Sequence, residues 1–216
     1  MNSRRKFFKN SGMLATGLGL SHIFAEESTA APLSQQENAA NDEVNLEVKE
    51  DRLGYLGTRR VIQLCLVVKN VEETAKKYCE FFGWEMPRIS IIRTDEPEKY
   101  PVEYRGNPCL CTAKSVYFWL ADNVGFEILE PDETPSVWRE WLDEHGEGFH
   151  HVAFSVKGTH ELHKRLAEKG IGYIQRGEMR DGRYSYLDTF GDLKLIVETL
   201  EFSNPNNIHI SNRPPE

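Results

Sequence analysis

His150-His151-Val152-Ala153-Phe154-Ser155-Val156 alternates apolar with small or polar residues, the pattern of a half-buried strand. Earlier in the chain, Val61-Ile62-Gln63-Leu64-Cys65-Leu66-Val67-Val68 is a second β-type run of the same length class. Each leads through Lys-Asn or Lys-Gly into a helical pattern, Glu72 to Phe82 before Gly83 and His160 to Lys169 before Gly170. Each half then closes on a matching phrase, Gly125-Phe126-Glu127-Ile128-Leu129-Glu130 and Ile196-Val197-Glu198-Thr199-Leu200-Glu201. Laying Val61–Pro131 over Phe149–Phe202 therefore exposes a weak internal repeat: strand, helix, three strands, twice. The expected fold is α+β, two βαβββ modules (about 60–131 and 149–202) paired into a curved, mostly antiparallel sheet that encloses a metal site. Between them, Trp138, Trp141 and Leu142 recur at helical spacing within Thr134–His145, which predicts a connecting helix.

Outside the repeat the chain changes character. Ser3-Arg4-Arg5-Lys6-Phe7-Phe8-Lys9 is basic, and Ser11 to Ala25 is small, apolar and uncharged. Residues 1–30 resemble a twin-arginine export signal with a small-residue cleavage site at Ser28-Thr29-Ala30, which predicts a periplasmic bacterial protein. The apolar run is shorter than the roughly 20 residues that span a bilayer, so no membrane association is expected after signal removal. Residues 31–51 read as a flexible linker and 203–216, with three prolines, as an extended tail, leaving 52–202 as the folded domain.

Charge narrows the partners. The 216-residue chain carries −8, and residues 1–30 hold four basic and two acidic side chains. Removing that +2 leaves −10 on the mature protein. Such a balance excludes nucleic acid and leaves a small-molecule substrate, with a homodimer open. Four cysteines, Cys65, Cys79, Cys109 and Cys111, show no disulfide framework. Cys65 and Cys79 read as buried thiols, and Cys109-x-Cys111 is too little for a zinc knuckle.

The chemistry lies at matched positions of the repeat. Gln63 aligns with His151 on the opening strands, and Glu127 with Glu198 on the closing strands. One imidazole nitrogen and three oxygens suit one divalent metal ion (Zn, Co, Ni or Mn) with positions left for water and substrate. Arg183, Tyr184 and Tyr186 follow the turn Arg180-Asp181-Gly182 and are candidate substrate contacts. Tyr184 is the internal counterpart of Tyr117, and Tyr186 shares its face.

The runs Gln63–Asn70, Phe126–Pro131, Gly146–Phe154 and Val197–Glu201 together resemble the vicinal oxygen chelate (glyoxalase/bleomycin resistance) superfamily over about 60–202. Phe126 through Phe154 is most similar to the methylmalonyl-CoA epimerase branch, which has His where this chain has Gln63 and often a catalytic Glu where it has Tyr117. Gln63, Glu127, His151 and Glu198 match instead the ligand set of the human-type glyoxalase I. The ring-cleaving dioxygenases of the superfamily need two His and one carboxylate for iron, and here only His151 stands at a ligand position.

The resemblance implies a metal-dependent isomerase or epimerase that works through an enediolate, with Glu198 as ligand and proton carrier and Tyr117 as a second acid or base or a cavity wall. A glyoxalase I-like lactoylglutathione lyase and a non-catalytic ligand-binding protein are the alternatives. The export signal favours a small hydroxy-ketone or oxidised sugar as substrate over cytoplasmic CoA thioesters and glutathione adducts.

Overall fold

The computed structural model describes residues 54–204 apart from Asp95. The segments read from sequence as export signal and linker, and nearly all of the one read as a tail, lie outside the described residues. No helix of the described residues is long and apolar enough to cross a membrane.

The first half runs β1 (Val61–Val67), α1 (Val71–Phe82), β2 (Ser90–Arg93), β3 (Val102–Tyr104), β4 (Asn107–Pro108), β5 (Thr112–Trp119) and β6 (Gly125–Pro131). α2 (Val137–His145) connects it to β7 (Gly148–Ser155), α3 (Thr159–Ala167), β8 (Tyr173–Met179), β9 (Gly182–Leu187), the one-turn α4 (Phe190–Leu193) and β10 (Ile196–Phe202). All ten strands form one curved sheet in the order β2-β5-β6-β1-β7-β10-β9-β8-β3-β4. Two pairs are parallel, β1 with β6 and β7 with β10, and they are equivalent by the repeat. The halves meet through the antiparallel pair β1–β7.

The expected βαβββ order is present in both halves, with one addition. The short β3–β4 hairpin in the first half leaves its own module and pairs through β3 with β8 of the second. Its strands, of three and two residues, carry too little periodicity to be seen in sequence.

Helix ends follow local chemistry. The Asn70 side chain accepts from the Glu73 amide at 3.0 Å to start α1, and Gly83, with φ of 72°, ends it in the left-handed region. Ser136 starts α2 in the same way, accepting from the Arg139 amide at 3.1 Å. α3 stops at Ala167, and the chain continues through turns to Gly170, three residues beyond the helix proper.

Two apolar layers sit on the outer face of the sheet. α1 buries Val71 and Ala75 against Val116, Phe118 and Ile128, and α3 buries Leu162 and Leu166 against Leu187 and Val197. Each buried Leu contributes roughly 1.5–3 kcal/mol. The inner face holds the main core, where Cys65, Leu129, Ala153 and Ile196 meet Trp138 and Leu142 of α2. α1 and α3 therefore occupy the outer face, and the inner face is left for a site roofed in part by α2.

Gly177 on β8 is one position where packing demands glycine. A Cβ built there would stand 2.5 Å from Cε1 of Tyr184 and 2.8 Å from its hydroxyl oxygen, well inside van der Waals contact. Gly177→Ala should displace the Tyr184 ring and lower stability by about 1–3 kcal/mol. A reduced urea midpoint at unchanged slope is the expected readout, and an unchanged midpoint would show that the ring moves freely.

Candidate metal centre

Strand alternation and register bring the four ligand candidates together. Gln63 and Cys65 lie on one face of β1, and the antiparallel register sets Cys65 opposite His151 and Gln63 opposite Ala153. The parallel pairs set Cys65 beside Glu127 and Ala153 beside Glu198. The matched positions thus become neighbours around the β1–β7 seam.

Their polar atoms converge. Gln63 Nε2 is 2.7 Å from Glu127 Oε2 and 3.1 Å from His151 Nε2, and His151 Nε2 is 3.1 Å from Glu198 Oε2. Four side chains with exposures of only 0–3 % share this point. Glu198 Oε2 is nevertheless without a hydrogen-bond partner among the described residues. A buried carboxylate oxygen left unpaired is costly.

A divalent cation fits this arrangement. Ligand atoms each about 2.1 Å from one ion stand roughly 3.0–3.4 Å apart, and the spacings just given fall at or slightly below that range. The ion would supply the partner that Glu198 Oε2 lacks, and the Gln63 amide offers either its nitrogen or its oxygen from nearly the same place. The imidazole, amide and two carboxylates form a borderline-hard donor set that suits Zn, Mn, Co or Ni.

Neighbours hold the candidate ligands in place. Ser115 on β5 donates to Glu127 Oε1 at 2.7 Å, so one carboxylate oxygen is anchored while the other faces the cluster. The two adjacent histidines touch through Nδ1 atoms 2.8 Å apart. If His151 donates there, its Nε2 lone pair points at the cluster, the tautomer a metal ligand requires. Burial holds His150 well below the usual imidazole range and so keeps it neutral, as an acceptor must be. Burial also raises the Glu127 carboxyl above its usual range, partly offset by His151 and the Ser115 hydroxyl. Ser115→Ala should therefore loosen Glu127 and weaken metal affinity roughly 10–100-fold with little change in fold. Titration of the metal-free protein measures it.

A cavity of about 190 Å³ opens over the cluster. Gln63, Glu127 and Glu198 face it, whereas His151 and Cys65 are fully buried and do not line it. Tyr117, Tyr184 and Tyr186, named from sequence, also line it, together with Trp138 from α2. The Tyr117 hydroxyl lies 3.5 Å from Gln63 Oε1. Burial, with Glu127 beside it, pushes the Tyr117 phenol well above its usual range, so in this environment it is a proton donor rather than a phenolate base.

Arg183 does not join them. It lies on the opposite face of β9 from Tyr184 and Tyr186, paired with Glu178 at 3.3 Å and Glu201 at 3.7 Å. There it borders a larger cavity of about 650 Å³ near the start of α3, which shares Tyr184 with the smaller one but none of the four ligand candidates. Strand alternation alone separates residue 183 from 184 and 186, so this placement was available from the sequence.

Three participants went unrecognised in sequence. Cys65, read as an ordinary buried thiol, brings its sulfur within 4.8 Å of the ligand atoms of Glu127 and His151. Its spacing of two from Gln63 was the available signal. Burial and the carboxylates of Glu127 and Glu198 push the thiol well above its usual range, so it faces the cluster as a neutral wall rather than a thiolate. Ser115 and Trp138 carried no signal, because their roles depend on which strands and helix pack beside them.

The profile described as Glyoxalase/Bleomycin resistance protein/Dioxygenase superfamily matches residues 62–186, a stretch that includes Gln63, Glu127 and His151. No curated protein matches the chain. Among solved structures it is similar to the methylmalonyl-CoA epimerase of Streptomyces coelicolor in complex with 2-nitronate-propionyl-CoA, at 16% identity over 67% of this chain and 98% of that one, TM-score 0.46. The methylmalonyl-CoA epimerase of Mycobacterium tuberculosis matches at 16% identity over 68% of this chain and 89% of that one, TM-score 0.46. A hypothetical protein of Bacillus halodurans C-125 matches at 18% identity over 66% and 93%, TM-score 0.43. With the profile spanning more than half of the 216 residues, and with two equivalent modules closing one sheet, the chain belongs to the glyoxalase/bleomycin resistance protein/dioxygenase superfamily.

Proposed function

We propose that this protein is a divalent-metal-dependent isomerase or epimerase that moves a proton at the carbon beside a carbonyl, on a small substrate with vicinal oxygens. The observation that carries the reading is the convergence of Gln63, Glu127, His151 and Glu198 on one buried point at which Glu198 Oε2 has no hydrogen-bond partner among the described residues. Those four residues hold the ion, which when bound supplies Lewis-acid polarisation of the substrate's oxygens.

The rest belongs to the chain. Glu198 faces the cavity and is the group placed to take the proton from carbon and return it. Tyr117, on the far side of Gln63 and protonated, is placed to donate a proton or a hydrogen bond to the opposite face of the substrate. Tyr184 and Tyr186 bind and orient. The buried floor of Cys65 and His151 excludes water from the reacting side. We place the mature protein in the periplasm on the basic and apolar pattern of residues 1–30.

The test combines elemental analysis of the mature protein with proton exchange in deuterated water. About one divalent ion per chain and deuterium entering an α-hydroxy-ketone without cleavage support the isomerase. The donor set, which resembles that of glyoxalase I, favours one competitor, a lyase. Thiol-dependent turnover of methylglyoxal without such exchange would establish it instead. Absence of stoichiometric metal would leave a non-catalytic binding protein.

A further inference from the structure

The cavity over the ligand cluster has an unusual charge balance for a site that must hold oxygen-rich molecules. Its polar walls are carboxylates, amide, hydroxyls and phenols, and none of the described residues that line it is a lysine or arginine. The two carboxylates, Glu127 and Glu198, carry charge enough to neutralise one divalent ion fully. Nothing in the lining is then left to compensate a carboxylate or phosphate on the substrate, and burying an uncompensated charge beside two others is unfavourable.

The phenols specify what is taken instead. The Tyr186 oxygen accepts from Trp138 Nε1 at 3.0 Å, and the Tyr184 oxygen accepts from Gln175 Nε2 at 3.4 Å. Gln175 is itself fixed, because its Oε1 accepts from the Val137 amide at 2.9 Å. With acceptance satisfied by the protein, each phenol has its own O–H to give. Two such donors on adjacent positions of one strand face suit two hydroxyl or carbonyl oxygens of one ligand. The cavity of about 190 Å³ equals roughly six waters at about 30 Å³ each, room for a ligand of about ten heavy atoms. Its aromatic walls, Trp138, Tyr184 and Tyr186, offer rings to the C–H faces of such a compound.

From this lining we infer that the site selects small uncharged polyhydroxy-carbonyl compounds, neutral ketoses and α-hydroxy-ketones, and rejects their acids and phosphate esters. The inference rests on the isomerase reading above for the reaction and on the cavity alone for the charge preference. In the reaction it assigns, the C–H bond beside the carbonyl breaks, Glu198 takes the proton, and a solvent-derived proton returns to carbon. No oxidant or reductant is needed.

The experiment uses the metal-loaded protein with dihydroxyacetone, erythrulose and fructose against hydroxypyruvate and dihydroxyacetone phosphate. Two readouts are followed: fluorescence quenching, since Trp138 lines the cavity, and deuterium incorporation. The expected result is saturable quenching by at least one neutral compound, with the anions binding at least roughly 100-fold more weakly. In Met179→Arg, which sets a cation into the cavity wall, the ratio should move toward the anions at least roughly 10-fold.

Equal or tighter binding of the anions by the unaltered protein overturns the inference, as does failure of every neutral compound to bind. Exchange confined to hydroxypyruvate would overturn the neutral class and leave the isomerase standing. Neutral binding without exchange in any compound would remove the isomerase and leave the charge preference intact.

Discussion

Protein carrying His151→Ala should retain less than about a tenth of the metal held by the unaltered protein at equal free concentration. Changing a residue that merely supports a ligand costs roughly 10–100-fold in metal affinity, and removing the imidazole that faces Gln63 and Glu198 should cost at least the upper end of that range. Three structural facts make the effect large. His151 Nε2 lies 3.1 Å from both Gln63 Nε2 and Glu198 Oε2, so its loss opens the centre of the cluster rather than its rim. His151 is fully buried, so water replaces it poorly. The remaining carboxylates would then face one another across a cavity with reduced compensation. Elemental analysis gives the stoichiometry, and thermal unfolding gives an independent check. A ligand at 100 times its dissociation constant stabilises the folded state by about 2.7 kcal/mol, and this metal-dependent rise in Tm should disappear in the variant. Equal metal content in the two proteins would remove the four-residue site altogether.

Glu198→Gln should separate binding from chemistry. The amide keeps the size of the side chain and one oxygen that can still face the ion, but it cannot accept a proton from carbon. Proton-transfer catalysis by a positioned side chain is worth roughly 10²–10⁴-fold, and the loss of deuterium exchange should fall in that range. Metal should be retained in part, in contrast to the alanine at 151. The distinction follows from position: Glu198 faces the cavity, whereas His151 lies behind the lining residues. Exchange in Glu198→Gln within about threefold of the unaltered protein would assign Glu198 to binding alone, and the proton carrier would have to be sought among the other groups lining the cavity.

The sequence and the structure divide the explanation along a physical line. The two-module α+β fold was legible because the repeat placed like strands and like helices in the same order twice, and each helix carried its own start and stop signals, Asn70 and Gly83 among them. The four ligand candidates were legible for the same reason, since matched positions in equivalent modules must be related by the symmetry of the pair. Family membership followed from the motifs that carry those positions.

What the sequence by itself determined, then, is which faces of which strands bear the metal-competent residues. Alternation along a strand is a local property, and it assigned Tyr184 and Tyr186 to one face and Arg183 to the other once applied strictly. Only the tertiary structure decided which faces meet. A one-residue slip in the β1–β7 register would turn His151 away from Cys65 and Gln63, and that register is fixed by core packing on both sides of the sheet rather than by either strand alone. The same long-range packing brings Ser115 to Glu127, sets Cys65 beside the cluster, seats Trp138 against Tyr186, and carries the β3–β4 hairpin across to β8. Each of these contacts joins segments far apart in the chain, so local periodicity holds no record of them. The site is therefore written in the sequence as four positions, and becomes one polar point with a small cavity above it only when the two halves close.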